Sequence, residues 1–233
     1  MVKDLAESQI DRIWKRLRLP LLTIASTILF IRLCVADWSF IFSGSMNPTI
    51  YEGEMVLTNK LAYDFQIPLT PIKIPRSDPQ HGDIVVFRSP EGNANLVKRV
   101  VGVPGDTVEM VHNMIYINGK PRGYELLPAR YSVHVPKRHR ENSLFYREIS
   151  GTCSHRIMVT PGTPPQLSNI PATRIPEGQY FLLGDNRSFS RDSRMYGFVA
   201  RDNFIGRADK VLLSFAGKSI SQPRKDRLLT KLE

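Results

Sequence analysis

Hydrophobic and polar positions change character once along this chain, and the change divides it. From Leu19 to Val35 the run LPLLTIASTILFIRLCV carries one charge, Arg32, near its far end. These 17 residues, at about 1.5 Å each in a helix, approach the lower limit for crossing the hydrocarbon core of a bilayer. Trp38 follows where an interfacial aromatic would sit, and Arg32 can extend toward the headgroups. Beyond this run the apolar residues come in short β-branched or aromatic stretches with polar punctuation: EMVLTN, DIVVFR, LVKRVVGV, TVEMV, MIYIN, YFLL and ADKVLLSF. Gly-Asp recurs at 82–83, 105–106 and 184–185, and Asn118-Gly119 suits a tight hairpin turn. No later segment has sustained helical periodicity, and there is no internal repeat. The pattern predicts a mostly β protein: an antiparallel β-sheet core with an inserted smaller β subdomain, preceded by one N-terminal transmembrane helix.

The expected boundaries are an N-terminal segment 1–18, an anchor 19–38, a β core from 39–111 and 179–215, an insertion 112–178 and a basic tail 216–233. Within 66–82, Pro68, Pro71, Pro75 and Pro79 indicate an extended excursion rather than a central strand. The insertion is rich in proline and basic residues, and the tail reads as a solvated end.

Charge adds orientation. Lys and Arg number 32 against 22 Asp and Glu, a net +10 that favours an anionic partner, either nucleic acid or a lipid surface. Lys3, Arg12, Lys15, Arg16 and Arg18 precede the apolar run, which places the N-terminus in the cytoplasm and the β part outside. A cleaved leader competes with a retained anchor, since Cys34 and Ala36 are small residues two apart. The long leader ahead of the run favours retention. Cys34 and Cys153 are expected to stay unpaired, and the histidines show no zinc spacing, so neither metal nor cofactor is expected.

Three stretches carry candidate chemistry. In SGSMNPT, Ser45 is a possible nucleophile with no histidine nearby. In NLVKRVVGV, strand alternation puts Leu96, Lys98 and Val100 on one face and Val97, Arg99 and Val101 on the other. An unperturbed lysine, with a pKa of about 10.4, is neutral in roughly one molecule in a few thousand at pH 7. Apolar burial lowers that pKa, and a neutral lysine can serve as general base to a serine. Taken alone, Lys98 is as readily a lysine reaching out from an edge strand, and Ser45 an ordinary turn serine. The third stretch, LLGDNRSFSRDSRMYGFV, concentrates acids, arginines and serines behind a strand.

Together, SGSMNPT, GDIVVF with VKRVVGVPGD, and GDNRSFSRDSRMYGFV resemble the successive sequence boxes of the type I bacterial signal peptidases, in the family's order and behind its N-terminal anchor. The resemblance covers 39–111 and 179–215 well and 112–178 hardly at all. It implies a Ser/Lys-dyad serine protease with Ser45 as nucleophile and Lys98 as general base. It implies that the Ser43 hydroxyl completes the oxyanion hole and that Ser190 hydrogen-bonds and orients Lys98. Arg99, Asp185, Arg187, Asp192 and Arg194 match residues that brace the core through ion pairs, Arg99 with Asp185. Ile41, Met46, Ile50, Leu96 and Val97 fall where the family lines its shallow substrate pockets. The partners implied are exported preproteins and the lipid bilayer, with no nucleic acid; the setting is the bacterial inner membrane, single-pass, with the catalytic domain on the outer side. Phe42 departs from the proline that commonly precedes the first box. A specialised conjugation or pilin-processing peptidase, a self-cleaving repressor and a non-enzymatic β module that binds anionic ligands are the alternatives.

Overall fold

The computed structural model describes residues 2–232 except 69, 71, 129, 130, 132, 152 and 217–221, and leaves the side chains of 2–13, 15 and 138 undescribed. Pro71, the side chains of Lys3, Arg12 and Lys15, and 217–221 and 233 of the tail therefore lie outside the described residues. A long helix, α1 (Val2–Phe30), continues as one π-helical turn, Ile31–Val35. Its segment Arg16–Val35 has a mean hydropathy of 1.7 and almost no buried residues, long and apolar enough to cross a membrane.

The turn passes without a linker into β1 (Ala36–Phe40). The helical residues thus stop at Val35, short of Trp38, because Ala36, Asp37 and Trp38 pair with Asn59, Thr58 and Leu57 of β2 (Glu54–Asn59). The Lys60 ammonium holds the helix end, donating to the carbonyls of Leu33 (2.8 Å) and Arg32 (3.3 Å), which have no further helical partner. Arg32 turns back to Asp37 at 3.0 Å and lies 4.7 Å over the Trp38 ring.

The remaining strands are β3 (Asp64–Gln66), β4 (Lys73–Pro75), β5 (Ile84–Arg88), β6 (Asn95–Gly102), β7 (Thr107–Val111), β8 (Met114–Ile117) and β9 (Lys120–Pro121). They continue through β10 (Gly123–Leu126), β11 (Leu144–Ser150), β12 (Cys153–Val159), β13 (Ile170–Arg174), β14 (Gln179–Leu183), β15 (Val199–Ala200) and β16 (Phe204–Ser214). The main sheet runs β1-β2-β16-β5-β6-β14-β15, antiparallel throughout. A four-stranded sheet, β13-β7-β8-β9, and a three-stranded one, β10-β11-β12, form the insertion. The strand β7, expected in the core, pairs with β8 and β13 instead, so the insertion departs at the Val103–Asp106 turn. The proline-rich excursion holds the short β3–β4 hairpin.

Alternation along β5 explains the two-sided core. Val85 and Phe87 pack with Val100, Leu182 and Phe204 on one side. Ile84 and Val86 pack with Val56, Met46 and Ile50 on the other. The tail is not a solvated end. Its described part folds back on β16, with Val211 N–H donating to Thr230 O at 2.8 Å and Leu232 N–H to Asp209 O at 2.9 Å.

Candidate active site

Ser45 sits in a single 3₁₀ turn, Gly44–Met46, entered from Ser43 in extended conformation. Met46, 1% exposed, roots the turn in the core, while Ser45 keeps partial access to solvent. Asn186 ties the turn to the loop after β14: its N–H donates to Ser45 O and its side-chain amide to Gly44 O, each at 3.0 Å. Gly184 permits this approach. A Cβ there would fall 2.4 Å from Ser45 O and 2.2 Å from Ser190 Oγ, inside any tolerable contact.

Lys98 lies on β6 opposite Val85, with Leu96 and Val100 in the cluster that Val85 also joins. It is 3% exposed. Its Nζ is 2.9 Å from Ser45 Oγ and 3.0 Å from Val97 O. Burial lowers its pKa to about 8, against the opposing pull of the Asp192 and Asp185 carboxylates and with help from Arg194. At that value roughly a tenth of the molecules carry a neutral amine at pH 7, about two to three hundred times the unperturbed fraction. A neutral amine beside a hydroxyl can accept its proton. Ser43 Oγ stands 3.4 Å from Ser45 Oγ on the exposed side.

The acid–arginine cluster forms a brace behind this pair. Asp185 accepts from Arg99 through both oxygens, at 2.9 and 2.8 Å, and from the Thr49 hydroxyl at 2.5 Å. Arg99 also donates to Gly82 O at 2.7 Å. Arg194 clasps Asp192 at 2.8 and 2.7 Å, and Asp192 accepts the Gly184 N–H at 3.1 Å. Arg187, fully buried, pairs with Glu148 at 2.7 Å. Fork-to-carboxylate geometry of this kind fixes orientation as well as energy.

One expected contact does not form. Ser190 does not hydrogen-bond Lys98: its hydroxyl is buried against Gly184 without a partner among the described residues, and the described acceptors of Lys98 are Ser45 and Val97. The five residues matched to the family's substrate pockets fall into two groups. Ile41, Met46, Ile50 and Val97 belong to one cluster, whereas Leu96 faces the opposite side with Lys98 because neighbours on a strand alternate. Met46 and Ile50 are at most 1% exposed, so they back the site rather than line an open slot.

A family model described as "Signal peptidase, peptidase S26" matches residues 14–213. The chain belongs to that family. It is thereby a serine endopeptidase of the signal peptidase group. Signal peptidase I of Pseudomonas aeruginosa is 37% identical over 77% of this chain and 65% of its own length. Signal peptidase I of Buchnera aphidicola is 30% identical over 78% of this chain and 69% of its own. A probable signal peptidase I-1 of Synechocystis is 33% identical, covering 82% and 78%. The chain thus spans about two thirds of the length of the first two relatives and more of the third. A crystal structure of a signal peptidase I from Enterococcus faecalis aligns at 32% identity over 56% of this chain and 97% of its own, with a TM-score of 0.34.

Several residues of this peptidase's site carry no signal in the family boxes. Glu148, on β11, also accepts from Arg122 (2.6 Å) and Tyr124 (3.1 Å), and the Arg187 guanidinium, with help from Arg122, holds its pKa far below the usual carboxylate range against the cost of full burial. His155, on β12, stands 3.5 Å from Glu148 and 3.9 Å from Asp185, and burial, aided by Arg99, pushes its pKa down to about 3, leaving the ring neutral. An acid inside a strand, among so many cations, was the one available hint for Glu148.

Proposed function

We propose that this chain is a membrane-tethered endopeptidase that removes N-terminal signal peptides from exported preproteins with a Ser45/Lys98 dyad, cleaving after small residues at −1 and −3. The observation that carries the reading is the 2.9 Å approach of Lys98 Nζ to Ser45 Oγ, with the amine buried among aliphatic side chains. Neutral Lys98 accepts the Ser45 proton as Oγ adds to the scissile carbonyl carbon. The oxyanion meets the Ser45 N–H and the Ser43 hydroxyl. The intermediate then collapses, expelling the amine with the proton returned by Lys98, and water attacks the acyl-enzyme with Lys98 again as base. The helix α1 holds the enzyme in the bilayer that also holds the substrate's apolar segment, which raises the local concentration of the scissile bond. Phe40 (47% exposed) and Phe42 (87%) project beside the nucleophile turn and suit contact with lipid. The location that follows is the bacterial inner membrane, with the sheet on the outer face.

The detergent-solubilised chain is expected to cut a preprotein at one bond, and N-terminal sequencing of the product should read the residue after a small −1 side chain. An intact preprotein after incubation would end the proposal. Complementation of a strain depleted of its signal peptidase separates a general enzyme from one specialised for conjugation or pilin processing.

Ser43→Ala should remove one oxyanion donor, costing about 2.7–4 kcal/mol in the barrier, or 10²–10³ in kcat, with KM little changed. Steady-state kinetics at saturating substrate will show it. The pH profile has a stated sign. The active form is the deprotonated amine, so kcat/KM should rise with pH through an ionisation near 8, whereas an unshifted lysine would place the limb near 10.5. Between about 8 and 10.5 the unfolded chain binds the proton that folded Lys98 has lost, so stability also rises with pH in that window.

A further inference from the structure

The described end of the chain lies beyond the residues matched by the family, 14–213, yet one of its side chains reaches the segment that follows the nucleophile. Arg227, in the 3₁₀ turn Lys225–Arg227, is 7% exposed. Its Nε donates to Glu54 Oε1 at 2.8 Å, and its Nη2 donates to Glu54 Oε2 at 3.0 Å and to Thr49 O at 2.8 Å. The guanidinium also lies 4.8 Å from the centroid of the Tyr51 ring. Glu54, fully buried, uses the same two oxygens to accept the Tyr51 N–H (2.9 Å) and the Ser214 hydroxyl (3.0 Å). One guanidinium therefore ties Thr49 and Tyr51, the far half of the loop whose near half is Ser45 and Met46, to Glu54 at the start of β2.

The loop is short and internally tied. Ile50 N–H donates to Met46 O at 3.0 Å, and the Thr49 hydroxyl donates to Asp185, the carboxylate that holds Arg99 beside Lys98. Displacing Thr49 would move both partners of the dyad: Ser45 through the loop, and Lys98 through Asp185 and Arg99. Phe215 and Arg224 mark how the tail is brought there, since Phe215 bridges Pro223 and Arg224 N–H donates to Ser214 O at 2.8 Å.

We infer that Arg227 is a positioning residue for the peptidase reaction: from the C-terminal tail it holds the loop after the nucleophile so that Ser45 stays in register with Lys98. This rests on the Ser45/Lys98 reading above. Charge alone does not do it. A lysine at 227 would still neutralise Glu54, but a single ammonium cannot span both carboxylate oxygens and the Thr49 carbonyl in the plane that the guanidinium fork supplies.

The test uses the full chain in detergent micelles, a preprotein as substrate, the variants Arg227→Lys and Arg227→Met, and Lys225→Ala as an exposed control on the same turn. Arg227→Lys is expected to keep cooperative unfolding while kcat falls about 10-fold or more with KM within about twofold. Arg227→Met should lose both stability and kcat, and Lys225→Ala neither. Hydrogen exchange gives a readout independent of cleavage: the Ile50 and Tyr51 amides should exchange about 10-fold faster in Arg227→Lys, with β14 amides unchanged. Wild-type kcat in Arg227→Lys, or unchanged exchange at Ile50 and Tyr51, overturns the inference. Should Arg227→Met fail to fold, Arg227→Lys decides alone. Failure of the wild-type chain to cut any preprotein would count against the functional reading, and exchange would still report whether Arg227 holds the loop.

Discussion

Replacing Ser45 with alanine is expected to lower kcat for preprotein cleavage by about 10⁴-fold or more, and replacing Lys98 with methionine by a similar factor. The two act as one unit, so Ser45→Ala/Lys98→Met should be no slower than either single variant. Lys98→Met places an apolar side chain of similar length among Leu96, Val85 and Val100, so its unfolding temperature should match or exceed the parent's. That separates lost chemistry from lost fold. Lys98→Arg should be as inactive as Lys98→Met, because a guanidinium does not give up its proton at any usable pH. Cleavage by Lys98→Arg within 10-fold of the parent would mean that some other group takes the Ser45 proton.

The second large effect is on stability. Asp185 is fully buried and Arg99 is 1% exposed, so Asp185→Ala strands a guanidinium in the core. Breaking a buried pair in this way costs about 3–5 kcal/mol. For a protein of this size that is a fall of roughly 6–20 °C in Tm. Asp185→Leu/Arg99→Met, which removes both charges, should recover much of the loss. The pH dependence follows the same pair. Arg99, more than any other neighbour, holds the Asp185 carboxyl below the usual carboxylate range against the cost of burial. Its contribution is therefore complete above the unfolded carboxylate pKa, near 3.8, and is lost as pH falls through the lower folded value. Thermal melts of the parent and the two variants from pH 7 down to pH 3 check both statements. A Tm within 2 °C of the parent for Asp185→Ala would show that the brace carries little.

What could be read from the sequence was whatever has a local period. EMVLTN occupies the same residues as β2, and DIVVFR, but for its first residue, the same as β5, because two-residue alternation against a sheet is written into consecutive positions. The facing of Lys98 with Leu96 and Val100 came from the same rule. Partners distant in the chain left no such trace. The strand β7 looked like core until its partner β13, about 60 residues on, claimed it. Arg227 and Glu54 are 173 positions apart, so a basic tail read as solvated although one of its arginines is buried. Ser190 shows the converse: the family boxes name it, but its hydroxyl, packed against Gly184, makes no hydrogen bond to the amine.

Val35 is the last helical residue and Ala36 the first of β1. Helix becomes sheet there with no slack, Lys60 clamps the last turn, and Ser45 follows only five residues after β1 ends. In the proposed membrane-tethered state the Ser45 hydroxyl would stand at a set height above the headgroups, and the fold would act as a gauge. Substrates would be sorted by how far their scissile bond emerges from the bilayer as well as by the size of the side chains around it, and inserting a few glycines between Val35 and Ala36 should blur the position of the cut before it abolishes cutting.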